Sequence, residues 1–157
     1  NRSSKSRRGF TMQFKDKFSK YDKKLVNYYR SKLNKQVKFV DHCKHMPLAY
    51  KISNLVVSSS IEPEAFGRVS VEAQSMEKLI IASNIGGSNE TIINDKTGLL
   101  FESGKPKSLS QKIIEALKLD DTTLKIMGNE GRKNVIKKFN IEKMCFSTYS
   151  EYKKLIN

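Results

Sequence analysis

Between Val37 and Phe101 the chain keeps a short beat. Leu55 to Val57, Leu79 to Ala82 and Leu99 to Phe101 are apolar runs of three or four residues, and Val37 to Val40 is a similar run broken only by Lys38, each bounded by polar or turn residues. Runs this short, apolar and β-branched are strands covered on both faces. The segments between them have helical rather than alternating spacing. Pro47 to Lys51 has the length of a short helix, Phe66 to Met76 repeats apolar positions at Val69, Ala73 and Met76, and Ser88 to Ile93 is a further short helix. Strand and helix in alternation leave few architectures open. The pattern predicts an α/β fold, a parallel sheet with helices on both faces.

The flanks are different in kind. Residues 1 to 16 are polar and basic, with only Phe10, Met12 and Phe14 breaking the pattern, and read as a basic arm or the remnant of an upstream segment. From Asp16 to Asn34, Phe18, Tyr21, Leu25, Tyr28, Tyr29 and Leu33 recur at three- and four-residue steps, which predicts an amphipathic helix. Beyond Phe101 the chain turns helical. Pro106 suits a first helical position, Asp120 and Asp121 can cap a second helix through Leu124, Met127, Val135 and Ile136, and Ile141 to Ile156 supplies a helical carboxyl-terminal segment.

Length and composition narrow the class. A chain of 157 residues with 38% hydrophobic residues is one domain's worth and is not globally disordered. A chain of this order buries roughly 70% of its unfolded surface, so the core needs no disulfide or metal. No apolar run approaches the ~20 residues of a membrane span, and the start lacks the apolar stretch of a secretory signal, which predicts a soluble, intracellular protein. Cys43 and Cys145 lie far apart without a Cys-x-x-Cys spacing, as expected of free thiols in a reducing compartment.

The net charge of +14 is concentrated. Residues 1 to 51 hold fifteen basic and three acidic side chains, whereas 52 to 157 hold fifteen and thirteen. Such a segment can bind nucleic acid, an anionic membrane surface or a phosphorylated ligand, and charge alone does not choose. A basic nucleic-acid-binding module using residues 1 to 51 is therefore the alternative reading.

The chemically informative stretch is Ser58 to Glu90, SSSIEPEAFGRVSVEAQSMEKLIIASNIGGSNE. It sets a loop after a strand, then a helix opening at Phe66-Gly67-Arg68-Val69, then a strand ending in Gly86-Gly87. Ligands of open parallel sheets bind at these carboxyl ends of the strands. The free N–H groups and positive dipole at the helix start favour a phosphate, and Gly67 lets a ligand approach the backbone. Glu64 stands in the loop before that end and Glu72 about one turn inside it. A carboxylate beside a phosphate site accepts from hydroxyls, so the combination suits a ligand with both phosphate and polyol, such as a nucleotide sugar. The bland alternative is that Arg68 and Glu72, four apart, form an exposed helix pair and that Glu64 is merely enriched at a helix start.

Glu64 to Glu72 resembles the Glu-x7-Glu motif of glycosyltransferase family 4, retaining enzymes of GT-B fold that use nucleotide-sugar donors. The surroundings are similar too: Phe66-Gly67, Glu72-Ala73, Ile81-Ala82-Ser83, Gly86-Gly87, Glu90, Thr97-Gly98-Leu99-Leu100 and the tail MGNEGRKNVIKKF. The resemblance covers residues 17 to 157 and looks closest to bacterial enzymes of lipopolysaccharide and other surface glycans. It implies that these residues form the Rossmann-like donor-binding half of a GT-B enzyme. By the same resemblance Glu64 is the catalytic-site residue that bonds the donor sugar's hydroxyls, the backbone of Phe66, Gly67, Arg68 and Val69 holds the diphosphate, and Glu72 accepts from the ribose. The loop after Val37 to Val40, with Asp41, His42 and Cys43, borders the base. No cofactor and no metal are implied, the nucleotide sugar being the substrate.

The resemblance also implies an acceptor, a glycan or lipid-linked sugar, bound by an amino-terminal domain that this stretch does not include. The chain alone is then expected to bind nucleotide and transfer little sugar, in the cytoplasm and peripherally on the cytoplasmic face of the inner membrane. Two departures stand out. Met76, Glu77 and Leu79 replace the small residue, glycine and proline usual after Glu-Ala. The family's basic phosphate motif is not matched in register by NRSSKSRRGF, and the strand and helix expected between it and the helix at 17 to 34 are missing from the reading.

Other chemistries fit less well. His42, Cys43 and His45 lack the separated ligand pairs of a structural zinc site. Ser58 to Ser60 lack a Gly-x-Ser-x-Gly context, which argues against a serine hydrolase. A glycosidase with two carboxylates flanking one bond is the discounted reading of the glutamate pair.

Overall fold

The computed structural model describes residues 10–13, 37–40 and 43–156. It divides into two compact units, residues 1–49 and 50–157, with the boundary inside helix α1 (Met46–Ile52).

In the first unit, strands β1 (Phe10–Gln13) and β2 (Val37–Val40) pair in parallel, Phe10 opposite Val37 and Gln13 opposite Val40. Strand β1 lies within residues 1 to 16, the stretch read above as a basic arm or the remnant of an upstream segment. Its period-two alternation, Phe10 and Met12, is only two apolar residues long within a Lys- and Arg-rich segment, too brief to stand out. It also supplies a strand ahead of residues 17 to 34, where the reading had none. The helix expected over 16 to 34 lies outside the described residues.

The second unit carries β3 (Leu55–Ser58), α2 (Arg68–Ser75), β4 (Leu79–Ser83), α3 (Ser88–Thr91), β5 (Gly98–Phe101), α4 (Pro106–Lys118), α5 (Asp121–Lys138) and α6 (Ile141–Ile156). The three strands form a parallel sheet in the order β3-β4-β5. Leu55 lies opposite Leu79, and Ile80 opposite Gly98. All five residues of β4 are buried, so both faces of the central strand are covered, as the apolar run LIIAS requires. On one face Leu79 and Ile81 pack with Leu99, Phe101, Ala116 of α4 and Met127 of α5.

Helix starts follow local chemistry. Pro106 opens α4, and the Asp120 carboxylate accepts the Thr123 N–H at 2.7 Å to cap α5. Helix α5 approaches the α2–β4 turn closely: a Cβ on Gly128 would lie 2.3 Å from the Glu77 carbonyl oxygen. Glu77 itself has a left-handed backbone, φ 57°. The turn that glycine usually makes is therefore kept with glutamate in its place. Among the described residues no helix is long and apolar enough to cross a membrane.

Candidate functional site

The site is built where the chain leaves β3 and β4 at their carboxyl ends. Two loops meet there backbone to backbone. The Gly87 N–H donates to the Glu64 carbonyl oxygen at 2.7 Å. A Cβ on Gly86, whose φ is +55°, would lie 2.6 Å from that same oxygen, and one on Gly87 would lie 2.4 Å from the Phe66 carbonyl carbon. The glycine pair after β4 is thus a clasp over the segment from Glu64 to Phe66, which any side chain would push apart.

Behind the clasp runs a buried polar chain. The Thr91 hydroxyl donates to Gly87 O at 2.9 Å, while Thr91 O accepts from Gln74 Nε2 at 3.0 Å and from Asn134 Nδ2 at 3.1 Å. Gln74, Thr91 and Asn134 are buried, so these bonds form away from competing water and tie α2, α3 and α5 to the glycine loop.

Helix α2 begins at Arg68 rather than Phe66 because Gly67, its N-cap residue, is left-handed with φ 71°. Gly67 supplies no side-chain cap. Its carbonyl accepts from Ser70 and Val71, and the N–H groups of Arg68 and Val69 have no acceptor within the helix. That end of the helix carries partial positive charge and open donors, the physical requirement for holding an anion.

The side chains around it are placed by short contacts. Glu64 is exposed; its Oε1 accepts from the Ser60 hydroxyl at 2.9 Å. Together with Ile61, Glu62 and Pro63 these two residues line an open groove. The Ser103 hydroxyl, from the loop after β5, reaches Ser60 O at 3.4 Å and closes one side. Phe66 is half exposed and meets the Phe139 ring edge-on, centroids 5.6 Å apart. Val69 is half-buried on the first turn of α2.

Glu72 lies one turn further on with both carboxylate oxygens engaged. Oε1 accepts from Arg68 Nη2 at 3.0 Å, and Oε2 accepts from the Tyr50 hydroxyl at 2.9 Å. The exposed Arg68–Glu72 pair expected as the bland alternative is therefore formed, and is worth a few tenths of a kcal/mol. The Tyr50 contact is what that alternative does not contain. Burial pushes the Tyr50 phenol well above its usual range, and the bond to Glu72 adds to the rise.

Glu64, Phe66, Gly67, Arg68, Val69 and Glu72 thus share one loop and the helix end that follows it. Cys43 is half-buried and belongs to the 1–49 unit; His42 lies outside the described residues, as does most of the basic segment on which the nucleic-acid alternative rests. Among the described residues no three His, Cys, Asp or Glu side chains group so as to hold a metal ion. Sequence reading missed Tyr50 and the Gln74–Thr91–Asn134 chain. Their partners lie 17 to 43 residues away, beyond any local spacing rule.

The sequence model of the family described as glycosyl transferases group 1 matches residues 19–134. The capsular polysaccharide biosynthesis glycosyltransferase CapM of Staphylococcus aureus is 35% identical over 107 residues, 68% of this chain and 28% of that protein. A crystal structure of a glycosyltransferase from Rickettsia africae superposes with a TM-score of 0.78 at 33% identity, covering 88% of this chain and 38% of that one. Sucrose-phosphate synthase from Thermosynechococcus elongatus superposes with a TM-score of 0.75 at 29% identity, covering 87% of this chain and 34% of the other. The chain thus spans less than a third of the curated relative's length and little more than a third of either solved one.

Proposed function

The chain belongs to the group 1 glycosyl transferases, and on that premise we propose that residues 17–157 are the donor-binding, Rossmann-like half of a retaining GT-B enzyme that transfers a hexose from a nucleotide diphosphate sugar. The observation that carries this reading is the glycine clasp. It holds Glu64 and an uncapped helix end side by side at the carboxyl edge of the sheet, with Glu72 one turn away.

Each group then has a task suited to its chemistry. The open N–H groups of Arg68 and Val69, with the backbone of Phe66 and Gly67, hold the diphosphate. That charge is stabilised most as the sugar leaves, when the diphosphate gains negative charge. Glu64 accepts from hydroxyls of the donor sugar and fixes the anomeric carbon over the groove. Glu72 accepts from the ribose, and Cys43 with His42 borders the base. The departing diphosphate takes the acceptor's proton on the same face, so neither glutamate forms a covalent bond to sugar and no metal ion takes part.

The acceptor is a glycan or lipid-linked sugar of a surface polysaccharide, lipopolysaccharide or capsule. The similarity to a capsular polysaccharide enzyme supports that choice. Binding of the acceptor falls to a partner domain, in the cytoplasm, with residues 1 to 51 drawn to the anionic face of the inner membrane.

A thermal-shift series with ADP, GDP, UDP and their sugar conjugates tests the donor site. At least one nucleotide raises the melting temperature of the wild-type chain, by mass action on the folded state, and Glu72→Ala reduces that rise. The absence of any shift, or a shift indifferent to Glu72→Ala, sinks the assignment. Sugar transfer by the isolated chain at the rate of a complete enzyme sinks the claim that a second domain completes the site.

A further inference from the structure

Tyr50 and Glu72 are 22 positions apart in sequence and come from different elements, α1 and α2, yet they form one of the few side-chain bonds beneath the site. The tyrosine is only 5% exposed, while the Glu72 side chain is 36% exposed. A buried donor therefore grips one oxygen of a carboxylate whose other side is open. The raised phenol keeps its proton through the neutral range, so Tyr50 donates throughout.

Counting acceptor positions shows what the grip leaves free. An ionised carboxylate offers about four lone-pair positions, two on each oxygen. Tyr50 takes one on Oε2 and Arg68 takes one on Oε1. One remains on each oxygen, so the carboxylate keeps two acceptor positions, one per oxygen. Two hydroxyls on neighbouring carbons match such a pair; a single hydroxyl fills half of it. Without Tyr50 the carboxylate is free to rotate and to offer both oxygens to the Arg68 fork, the geometry that guanidinium and carboxylate prefer.

We propose that Tyr50 is a positioning residue that holds Glu72 as a receptor for a vicinal diol, and that it thereby sets the preference of this site for a ribonucleotide over the 2′-deoxy form. This rests on the reading above in which Glu72 meets the ribose of the donor. Tyr50 touches no part of the ligand; its effect passes through the carboxylate.

The test is calorimetric titration of ADP, GDP and UDP, each against its 2′-deoxy counterpart, into the wild-type chain and Tyr50→Phe. Phenylalanine keeps the buried ring and removes only the donor. In the wild type the best-bound nucleotide is expected to be favoured over its deoxy form by about tenfold, the worth of one hydrogen bond to a charged group, and in Tyr50→Phe that ratio falls to within about threefold of unity. Affinity for inorganic pyrophosphate, which has no hydroxyl for Glu72, stays unchanged, a result that a merely structural role for Tyr50 does not give. In a Glu72→Gln background the Tyr50→Phe change has no further effect on the ratio.

A wild-type ratio near unity, a ratio that survives Tyr50→Phe, or additive losses in the double variant each overturns the proposal while leaving the donor site standing. Absence of any nucleotide binding by the wild type overturns both. If Tyr50→Phe does not melt cooperatively, Glu72→Asp carries the test. Its shorter carboxylate withdraws from Tyr50, and a ribo-to-deoxy ratio that nonetheless persists overturns the proposal.

Discussion

Two stretches of the second unit place apolar residues with helical regularity and come to opposite ends. Helix α2 is eight residues long, buries Ser70, Ala73 and Gln74, and is wedged between the glycine clasp at one end and the α2–β4 turn at the other. Helix α6 is twice as long and carries Ile141, Met144, Cys145, Tyr149, Tyr152, Leu155 and Ile156 along one stripe, yet none of its residues is buried. Leu155 and Ile156 are each 83% exposed. Periodicity marks both as helices equally well. What it does not report is whether a face has a partner. In α2 the contacts that matter are backbone to backbone and polar to polar, and they converge on the site.

The largest effect is expected where that convergence is tightest. Gly87→Ala introduces a methyl 2.4 Å from the Phe66 carbonyl carbon and 2.7 Å from its Cα, backbone atoms with no rotamer to escape into. Gly87 has an ordinary helical φ of −60°, so the penalty is steric rather than torsional. A loss of about 3 kcal/mol of stability is expected, at the upper end of what overpacking costs, together with loss of nucleotide binding. Gly104→Ala separates the two causes. At Gly104 the φ is +71° but nothing lies within 4 Å, so only the torsional cost applies, about 1 kcal/mol, with binding retained. Urea denaturation of the two variants measures the difference. Equal losses would mean that the loops do not meet as closely as the clasp requires.

The same division explains how much of the molecule was readable from its residues. Strand β4 announces itself because a strand buried on both faces must be continuously apolar, and Leu79 to Ala82 obeys that rule, while β3, half-buried throughout, and β5 are legible as short apolar runs bounded by turn residues. Helix α4 is legible through Pro106, α5 through Asp120, and the loop at Glu64 through its place after a strand. Strand β1 was hidden because Phe10 and Met12 alternate for too short a distance among charges. The helical glycine Gly128 was also hidden in purpose, since its neighbour, the Glu77 carbonyl, lies 51 residues away in sequence. Tyr50 was invisible for the same reason. Carboxylates near a helix start can be spotted by spacing, but the donor that orients one of them can be found only after the chain has folded.

Glu77 offers a smaller and opposite effect in the tight region. Its left-handed φ of 57° is a conformation that side chains adopt at a cost of about 1 kcal/mol or more. Glycine there removes that strain but adds chain entropy to the unfolded state and deletes a half-exposed ion pair with Arg132 at 3.6 Å, worth little. Glu77→Gly is expected to raise stability by about 0.5 kcal/mol, the strain relief slightly outweighing the rest. Glu77→Ala removes the ion pair without relieving the backbone and is expected to lower stability slightly. Melting temperatures of opposite sign for the two variants support a turn held against local preference by α5 packing on it; a stabilising alanine would mean that the charge, not the backbone, is the strained element.

The smallest effect belongs to α6, and it is the sharpest test of the contrast. Tyr152 and Leu155 sit on the apolar stripe at 63% and 83% exposure, so replacing them removes almost no buried area. Glutamine keeps comparable helix propensity for leucine and improves on tyrosine, so local helix stability does not confound the comparison. The double variant Tyr152→Gln, Leu155→Gln is expected to change the unfolding free energy by less than about 0.5 kcal/mol and to leave the denaturant slope unaltered, as for surface positions in general. The same number of substitutions at Leu79 and Ile81, both at 2% exposure or less, would each cost several-fold more. A loss above about 1 kcal/mol in the α6 double variant would mean that the stripe is packed in solution and that the two helices differ in length alone.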